Sequence, residues 1–338
     1  MNIVLISPHF PPNFRNFTFR LRDNGANVLG IADVHYDQIP EDVRGALTEY
    51  YRVENMHDYD QIVRALGYYT HRCGKIDRID SHNEYWLETE ARLRTDFNID
   101  GVKVDVIDNM KRKSLMKQVF IDAGLKPARG RVCLDEAETF AFIEEVGYPV
   151  VAKPDSGVGA AKTYKLENPD QVRHYLADKL HVDYILEEFI QGREIECSVL
   201  GNLDPIVSLP GEIIPQHEFY SYEAKYLDEN GAHFKLPAEL EIETVQNIQK
   251  LEVQAFHLLE CEDMARVDFF LRKDGRIFLN ELNTIPGFTT ISLYPKLWEI
   301  SGIPYPELID RLITLALKRH KRKAALRTDV NIVSCASN

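Results

Sequence analysis

The chain has 338 residues, a formal net charge of −13 at neutral pH, and 44% apolar and 28% charged residues. This length suffices for two or three domains with sizeable cores, and the composition is that of a soluble globular protein. No apolar run is long enough to span a membrane, the opening MNIVLISP has no signal-peptide pattern, and the negative charge argues against a nucleic-acid surface. Five scattered cysteines without a CxxC pair predict reduced thiols in a cytoplasmic protein.

The first hundred residues alternate between strand-like and helix-like segments. Strands are predicted in NIVLISP, in ANVLGIAD and near IDRIDS, and helices in FRNFTFRLRDNG and MHDYDQIVRALGYYTHRCG. This order predicts a parallel sheet with helices on its faces, in which ligands bind beyond the carboxyl ends of the strands. Asn83 and Glu84 follow one of these strands in SHNEYW, so they are candidate substrate contacts; the alternative is that they are loop and cap residues.

The later segments predict three further regions. A single lysine-rich helix from Asn109 to Gly124 leads into a mixed region, and a richer run of strands follows from about residue 191. We therefore predict an α/β domain at 1–108, two α+β subdomains at 109–190 and 191–320, and a flexible tail at 321–338.

The most informative segment is ARVDFFLRKDGRIFLNELNTIPG, two apolar-rich strands around an Asp-Gly pair at 274–275 that favours a two-residue type I′ turn. Counting outward from that turn places Asp268 opposite Glu281 and Arg266 opposite Asn283, with all four side chains on one face. Carboxylates directly across a ladder repel each other, and two carboxylates with an amide suit Mg²⁺. The pattern predicts a nucleotide–metal site, and the alternative is a hairpin whose polar face meets water.

A second motif suits phosphate binding. YPVVAKPDSGVGAAKT places Lys153 at the end of an apolar strand, followed by a loop of small residues that includes Ser156, Gly157 and Gly159. Successive backbone N–H groups of such a loop can hold phosphates. A plain hairpin turn is the alternative.

A third motif, YILEEFIQGREIECSVL, carries Glu187 and Glu188 at the end of one strand and Glu194 across a Gln-Gly turn. Carboxylates accept hydrogen bonds from the amino group of adenine and from ribose hydroxyls. Taken singly, these acids would be surface residues, and their position after the glycine loop is what indicates a nucleotide.

With these motifs in this order, the chain resembles the ATP-grasp superfamily from about residue 109 to 312, with a matching domain in front. The resemblance implies an α/β fold in which a parallel N-terminal domain precedes two α+β subdomains that clamp ATP. It implies ATP contacts at Lys113, Lys153, Glu187, Phe189 and Glu194. The loop residues Ser156, Gly157 and Gly159, and the acid Glu188, are the further nucleotide contacts predicted from the motifs themselves. The resemblance also implies two Mg²⁺ ions, with Mn²⁺ as a substitute, at Asp268, Glu281 and Asn283.

The C-terminal third, with NELNTIPGFTTISL, resembles the D-alanine–D-alanine ligases. The front half, with SHNEYWLETEARLRTDF, resembles ATP-grasp proteins that are carbamoyl-phosphate-synthase-like or amino-acid ligases. By the first resemblance, Lys225 contacts the ATP phosphates and Tyr226 borders the acceptor pocket. Gly287 offers an oxyanion N–H beside the arginine of the metal hairpin. Ser292 and Leu293 receive the carboxylate of an amino-acid acceptor.

The resemblance implies an ATP-dependent carboxylate–amine ligase that works through an acylphosphate and releases ADP and phosphate. The implied catalytic residues are Arg266, Lys225 and Gly287. Its partners would be a small-molecule carboxylate and an amine, with no nucleic acid and no membrane; a homodimer is compatible with the resemblance. Two alternatives are an ATP-grasp kinase or a ligase with a thiol or hydroxyl acceptor. A nucleotide-binding regulatory module without turnover is the alternative outside the enzymes.

Overall fold

A computed structural model describes residues 1–157, 163–178, 183–215, 232–289 and 292–325. The strands are β1 (Asn2–Ile6), β2 (Asn27–Ala32), β3 (Glu49–Arg52), β4 (Arg78–Asp80), β5 (Gly130–Val132), β6 (Val150–Pro154), β7 (Tyr164–Leu166), β8 (Tyr184–Glu188), β9 (Arg193–Gly201), β10 (Ile206–Val207), β11 (Gly211–Pro215), β12 (Ala232–Lys235), β13 (Asp263–Leu271) and β14 (Ile277–Asn283). The helices are α1 (Arg15–Asp23), α2 (Glu41–Ala46), α3 (Tyr59–Cys73), α4 (Leu87–Asp96), α5 (Ile107–Lys111), α6 (Lys113–Asp122), α7 (Glu136–Val146), α8 (Pro169–Asp178), α9 (Ile242–Leu258), α10 (Leu293–Ile300) and α11 (Tyr305–Ala324). Within these ranges, no helix is long and apolar enough to cross a membrane.

The front region is a parallel four-stranded sheet in the order β3-β2-β1-β4, as predicted. Strand β1 lies inside it and is buried along its whole length, because NIVLI is apolar enough to be covered on both faces. Helix α2 and edge strand β3 were not predicted. The β3 sequence EYYR has no fully buried residue, so its pattern carries no strong strand signal.

Two antiparallel sheets follow, and with the front sheet they form the predicted combination of one parallel α/β domain and two α+β subdomains. One has the order β5-β8-β6-β7, and the other is six-stranded with the order β12-β11-β9-β13-β14 and β10 paired to β9. The three sheets fall inside the ranges 1–108, 109–190 and 191–320. Helix α11 continues to Ala324, so the first residues of the predicted tail are helical, and 326–338 lie outside the described residues.

The predicted helix from Asn109 to Gly124 is wrong as a single element, because it is broken at Arg112. The backbone there is extended (φ −91°, ψ 116°) and pairs with Ser156 in an isolated β-bridge. The break separates α5 from α6 and makes Lys113 the first residue of a new helix. A tertiary contact therefore overrides a sequence whose local pattern is helical throughout.

The β13–β14 hairpin has the predicted register at the site but not at the turn. Arg272 N–H donates to the Arg276 carbonyl and Gly275 N–H donates to the Arg272 carbonyl, so the loop has three residues, 273–275, with Gly275 at φ +81°. This loop is the type I turn plus left-handed residue typical of three-residue hairpins, so the predicted type I′ turn is wrong. A β-bulge at Asn280 then shifts the pairing back by one residue, which restores Asp268 opposite Glu281.

The face of the six-stranded sheet turned away from the site is covered by α9. Cys197, Val267 and Phe269 pack there against Ile248 and Phe256 in one apolar cluster. The described cysteines, at 73, 133, 197 and 261, are free thiols, as predicted; Cys335 lies outside the described residues.

Helix α9 also buries an acid in this cluster. Glu252 is fully buried, and burial raises its pKa well above the ordinary value of 4.5, an effect that the charge of Asp268 reinforces. The folded protein therefore holds a proton that the unfolded chain releases. The free energy of unfolding falls through this group as pH rises above about 4.5.

We expect Glu252→Gln to be more stable than the unsubstituted protein at pH 8, with a difference that shrinks towards pH 4.5. Chemical denaturation across this pH range measures it. Glu243→Gln, at an exposed position in the first turn of the same helix, should leave the pH profile unchanged. A Glu252→Gln profile parallel to that of the unsubstituted protein would show that this carboxyl is charged in the fold.

Candidate active site

Three carboxylates lie in one rung across the neighbouring strands β9, β13 and β14. Glu196 pairs with Asp268, and Asp268 pairs with Glu281. Arg266, two residues before Asp268, donates to both of its carboxylate oxygens at 2.8 and 2.7 Å, and its Nε lies 2.9 Å from an oxygen of Glu196. The Asn283 amide donates to Asp268 at 3.3 Å. The structure thus brings together the predicted hairpin residues and adds Glu196.

Glu196 was missed by the sequence reasoning, although a signal for it exists. It is fully buried and stands two residues after Glu194 in strand β9, so the two acids share one face of the sheet. The acids of REIEC in β9 therefore lie on the same face of the sheet as Asp268 of the β13–β14 hairpin. The guanidinium of Arg266 offsets part of the negative charge that these acids concentrate.

The residue types of the rung fit a magnesium ion that arrives with a phosphorylated ligand. Among the described residues, no group of three or more His, Cys, Asp or Glu side chains is placed to hold a metal by itself. Mg²⁺ usually takes only one or two protein carboxylates and completes its shell with phosphate and water oxygens. Asp268, Glu281 and the amide oxygen of Asn283 are donors of that kind.

A buried group of two lysines and one glutamate lies beside the rung. Lys153, near the end of β6, has its Nζ 2.9 Å from Glu187, and Lys117 of α6 lies 3.1 Å from the same carboxylate. Burial by itself would raise the pKa of Glu187, but the two lysines outweigh it, and the pKa lies below its usual range. Burial likewise would lower the pKa of Lys153, whereas Glu187 and Glu281 raise it overall. Both amine and carboxylate are therefore charged at neutral pH.

Lys117 was also missed. It is buried and lies one helical turn after Lys113, so both lysines are on the same face of α6. Glu187, predicted at an adenine amino group, has both carboxylate oxygens directed at lysines. Its role towards a nucleotide stays a prediction.

The loop after β6 is tied to the start of α6 by Asp155. Its carboxylate accepts from the Ser114 backbone N–H at 2.7 Å and from the Ser114 hydroxyl at 2.8 Å, and its carbonyl accepts from Lys113 N–H. The Lys113 ammonium donates to the Gly157 carbonyl at 3.2 Å. Asp155 therefore caps α6 and holds Lys113 beside Gly157.

We expect Asp155→Ala to lower the free energy of unfolding by about 1–2 kcal/mol, the cost of a lost cap, and to weaken binding of Mg-ATP several-fold. Denaturation and titration calorimetry measure the two effects. Asp135→Ala removes the cap of α7 (Glu138 N–H to Asp135, 2.8 Å), away from the rung, and should cost similar stability without weakening nucleotide binding. Equal nucleotide affinity in both variants would contradict a positioning role for Asp155.

A cavity of about 440 Å³ opens beside Glu281, at one end of the rung, and is lined by all three regions of the chain. Lys113, Ser156 and Gly157 come from the central region and Glu281 and Asn283 from the hairpin. Glu84 reaches the cavity from the front region. Burial and the charge of Glu281 raise the pKa of Glu84 to about 7, against the opposing effect of Lys113.

Other predicted residues have structural partners of their own. Asn83 accepts from the Tyr85 N–H at 3.0 Å and caps the short helix Glu84–Trp86, as the alternative reading of this residue predicted. Glu188 is paired with Arg129, whose Nε donates to it at 2.8 Å. Phe189 lies under the Lys165 ammonium, 5.1 Å from its ring centre. Glu194 lies on the site face of β9, opposite Phe270.

The loop between β14 and α10 holds the residues predicted for the acceptor. A Cβ on Gly287 would lie 2.6 Å from the Ser292 hydroxyl, so a side chain there would force that hydroxyl to move. Ser292 precedes α10, and its hydroxyl accepts from the Thr289 N–H at 3.0 Å. Leu293 begins the helix and its side chain is buried. The N-terminus of α10 thus points backbone N–H groups at this loop, a favourable place for a carboxylate. Gly159, Lys225 and Tyr226 lie outside the described residues.

The fold is that of the ATP-grasp proteins, as solved structures demonstrate. The D-alanine–D-alanine ligase from Coxiella burnetii covers 96% of this chain and 97% of its own at a TM-score of 0.67 and 24% identity. The Bacillus anthracis enzyme complexed with ATP covers 96% and 99% at a TM-score of 0.67 and 20% identity. Both include the front region, so the predicted likeness of that region to carbamoyl-phosphate-synthase-like proteins is not supported.

Sequence comparison identifies the family. The family model described as "D-ala D-ala ligase C-terminus" matches residues 128–314. The D-alanine–D-alanine ligase of Oceanobacillus iheyensis is 47% identical over 222 residues, 64% of this chain and 61% of that protein. Ligase A of Salmonella typhimurium is 42% identical over 239 residues, 68% and 66% of the two chains. The chain belongs to the D-alanine–D-alanine ligase family, and the matches span 61% and 66% of the lengths of these two curated relatives.

Proposed function

We propose that this protein is an ATP-dependent carboxylate–amine ligase that forms an amide or peptide bond through an acylphosphate and releases ADP and phosphate. The observation that carries the proposal is the rung of Asp268 and Glu281 with Arg266 and Asn283 beside it. Glu281 and Asn283 of this group line one cavity together with Lys113. Family membership supports the same chemistry, since the curated relatives are named D-alanine–D-alanine ligases. By that likeness, the simplest substrates are ATP and two amino acids, with D-alanine the first to test.

In the first step, an oxygen of the donor carboxylate attacks the γ-phosphorus of ATP, and the bond from that phosphorus to the β-γ bridging oxygen breaks. The positive charges of Lys113 and Lys153 hold the phosphate oxygens. Arg266 stabilises the negative charge that develops on the transferred phosphoryl group. Mg²⁺ (or Mn²⁺) at Asp268, Glu281 and Asn283 would supply neutralisation of the phosphate charge. The products of this step are ADP and the acylphosphate of the donor.

In the second step, the amine of the acceptor attacks the acyl carbon, loses a proton to solvent, and phosphate leaves with the C–O bond electrons. The tetrahedral oxygen anion accepts from the Gly287 N–H and from Arg266. The acceptor carboxylate binds at the N-terminus of α10, at Ser292 and the Leu293 N–H. An acylphosphate hydrolyses in water, so the cavity must exclude water around it.

Free thiols at the described cysteines suit a reducing cytoplasmic compartment.

The test is ADP and phosphate release from Mg-ATP with a panel of amino acids and small acids, followed by mass spectrometry. A product whose mass equals donor plus acceptor minus water supports the ligase. A stable product heavier than its substrate by one phosphoryl group, without free phosphate, would replace it by a kinase. A thioester or ester product would keep the first step and change the acceptor. Nucleotide binding without turnover across the panel would contradict the proposal.

A further inference from the structure

Residues 284–289 follow strand β14 and carry Gly287, whose N–H is the proposed donor to the tetrahedral oxygen anion. Among the residues that the structure describes, no hydrogen bond holds the backbone of 285–288. The Gly287 N–H is therefore available to a ligand. For the same reason, backbone hydrogen bonds do not fix its direction, and the packing of side chains has to do so.

The end of this segment is held to the start of α10. The Thr289 hydroxyl lies 2.7 Å from the Ser292 hydroxyl, and the Ser292 N–H donates to the Thr289 carbonyl at 3.1 Å. The Ser292 hydroxyl is also close to Gly287, since a Cβ built there would lie 2.6 Å from it. Gly287 is thus packed against Ser292, and its remaining freedom depends on what holds the next residue, Phe288.

Phe288 is buried among aromatic rings from two regions of the chain. Its ring centre lies 5.4 Å from that of Phe14 and 5.4 Å from that of Phe17, with Phe17 edge to face. The ring of Tyr294, in α10, is 5.4 Å away as well. Such distances and angles are those of favourable aromatic pairs. Phe14 ends a short helix, Pro12–Phe14, and Phe17 lies in α1, so the front region supplies part of the packing around Phe288.

The two front-region rings are themselves held in place. Phe14 and Phe17 are each 5% exposed, and their ring centres are 5.9 Å apart. The imidazole of His82 is parallel to the Phe14 ring at 5.2 Å and lies 5.0 Å from the Phe17 ring. His82 stands two residues before Glu84, which lines the cavity. These rings therefore connect a segment at the cavity to the segment that carries Gly287.

We propose that Phe288 is a positioning residue for the second step: its ring, held by Phe14 and Phe17, fixes the direction of the Gly287 N–H. The oxyanion site is then shared between two regions, because the segment after β14 supplies the N–H and the front region holds it in place. The first step, transfer of the phosphoryl group, does not use this N–H. The inference rests on the proposed function and concerns only the amide-forming step.

The test separates the two steps in a single turnover, with protein in excess over ATP and the reaction stopped at intervals. Phe288→Leu and Phe17→Leu should form the amide about 10- to 100-fold more slowly at saturating acceptor, because loss of an oxyanion donor costs about 10²–10³-fold and a displaced donor costs less. ADP formation should stay within about twofold of the unsubstituted rate. Hydroxylamine, which attacks the acyl carbon and releases phosphate, should trap an accumulated acylphosphate as its hydroxamate.

Phe142→Leu is the matched control. Phe142 lies in α7 and is 3% exposed, in a separate apolar cluster with Val150 and Leu186. This variant loses the same ring volume from a buried position, so its melting temperature should fall in the same way. Neither ADP formation nor amide formation should change in it.

Equal slowing of ADP and amide formation in Phe288→Leu and Phe17→Leu, or no slowing of either step, would overturn the positioning role and uphold the ligase reaction. A loss that disappears at high acceptor concentration would also overturn it, since the rings would then shape acceptor binding. If the unsubstituted protein formed no amide with any acceptor, the proposed function would fail, and this inference with it.

Discussion

The Glu281→Gln variant is expected to lose ADP formation by about 10³-fold or more, because a neutral amide replaces one of the two carboxylates that we propose to hold Mg²⁺. A bound divalent metal contributes several kcal/mol of transition-state charge stabilisation, and each 1.36 kcal/mol corresponds to tenfold in rate. ADP release at saturating Mg-ATP and donor measures the loss. The side chain keeps its size, so circular dichroism and the melting temperature should stay close to those of the unsubstituted protein.

Glu260→Gln is the matched control, since this exposed residue lies just before the same hairpin and away from the rung. It should turn over at the unsubstituted rate. If Glu281→Gln retained full turnover, Glu281 would not be a metal ligand, and the magnesium site would have to be placed elsewhere. Partial activity restored by raising the Mg²⁺ concentration would agree with a weakened metal site.

Replacing Arg266 by methionine is expected to lower the free energy of unfolding by about 3–5 kcal/mol, the usual cost of removing one partner from a buried ion pair. Glu196 and Asp268 would then lie in one buried rung without their guanidinium, at positions where the fold has almost no exposure to water. The same change removes the cation proposed for the oxyanion, so activity should also fall. Chemical denaturation measures the stability part directly.

Arg276→Met provides the control on the same hairpin. Arg276 is paired with Asp274 at 2.7 Å, but both side chains are exposed, so we expect a loss of only about 0–1 kcal/mol. Mg²⁺ with a nonhydrolysable ATP analogue should recover part of the stability lost in Arg266→Met, because a bound ligand stabilises the fold by mass action. Equal losses in the two variants would mean that the rung carboxylates are not charged in the fold.

The β13–β14 hairpin shows why counting residues outward from the turn predicted the correct pairing of Asp268 with Glu281. The assumed turn was one residue too short, and the bulge at Asn280 corrected the register by one residue in the opposite sense. Arg266, Asp268, Glu281 and Asn283 all lie beyond the bulge as seen from the turn, and within each strand they are two residues apart. Burying the apolar face of the hairpin therefore places all four on the opposite face. The turn itself was missed because Asp-Gly suits both two-residue and three-residue loops.

The residues that were missed depend on contacts between distant segments. Asp155 follows Lys153 in the phosphate-loop motif, yet its role as a cap for α6 needs a contact with Ser114, 41 residues earlier. Glu196 becomes part of the rung only because β9 pairs with β13 over a separation of about 70 residues. The spacing of Glu194 and Glu196 indicates a shared face of β9, but no periodic pattern in the chain predicts that β9 pairs with β13 or that Asp155 contacts Ser114.

The sequence by itself determined the order of most strands and helices, the superfamily, and which residue types could hold phosphate and metal, because alternation and motif spacing are local properties. Only the tertiary structure decided the break at Arg112, the third carboxylate at Glu196 and the approach of Glu84 to Glu281. Each of these depends on how separate sheets and helices pack. Packing is set by the sum of many distant contacts, and no short segment of the chain encodes that sum.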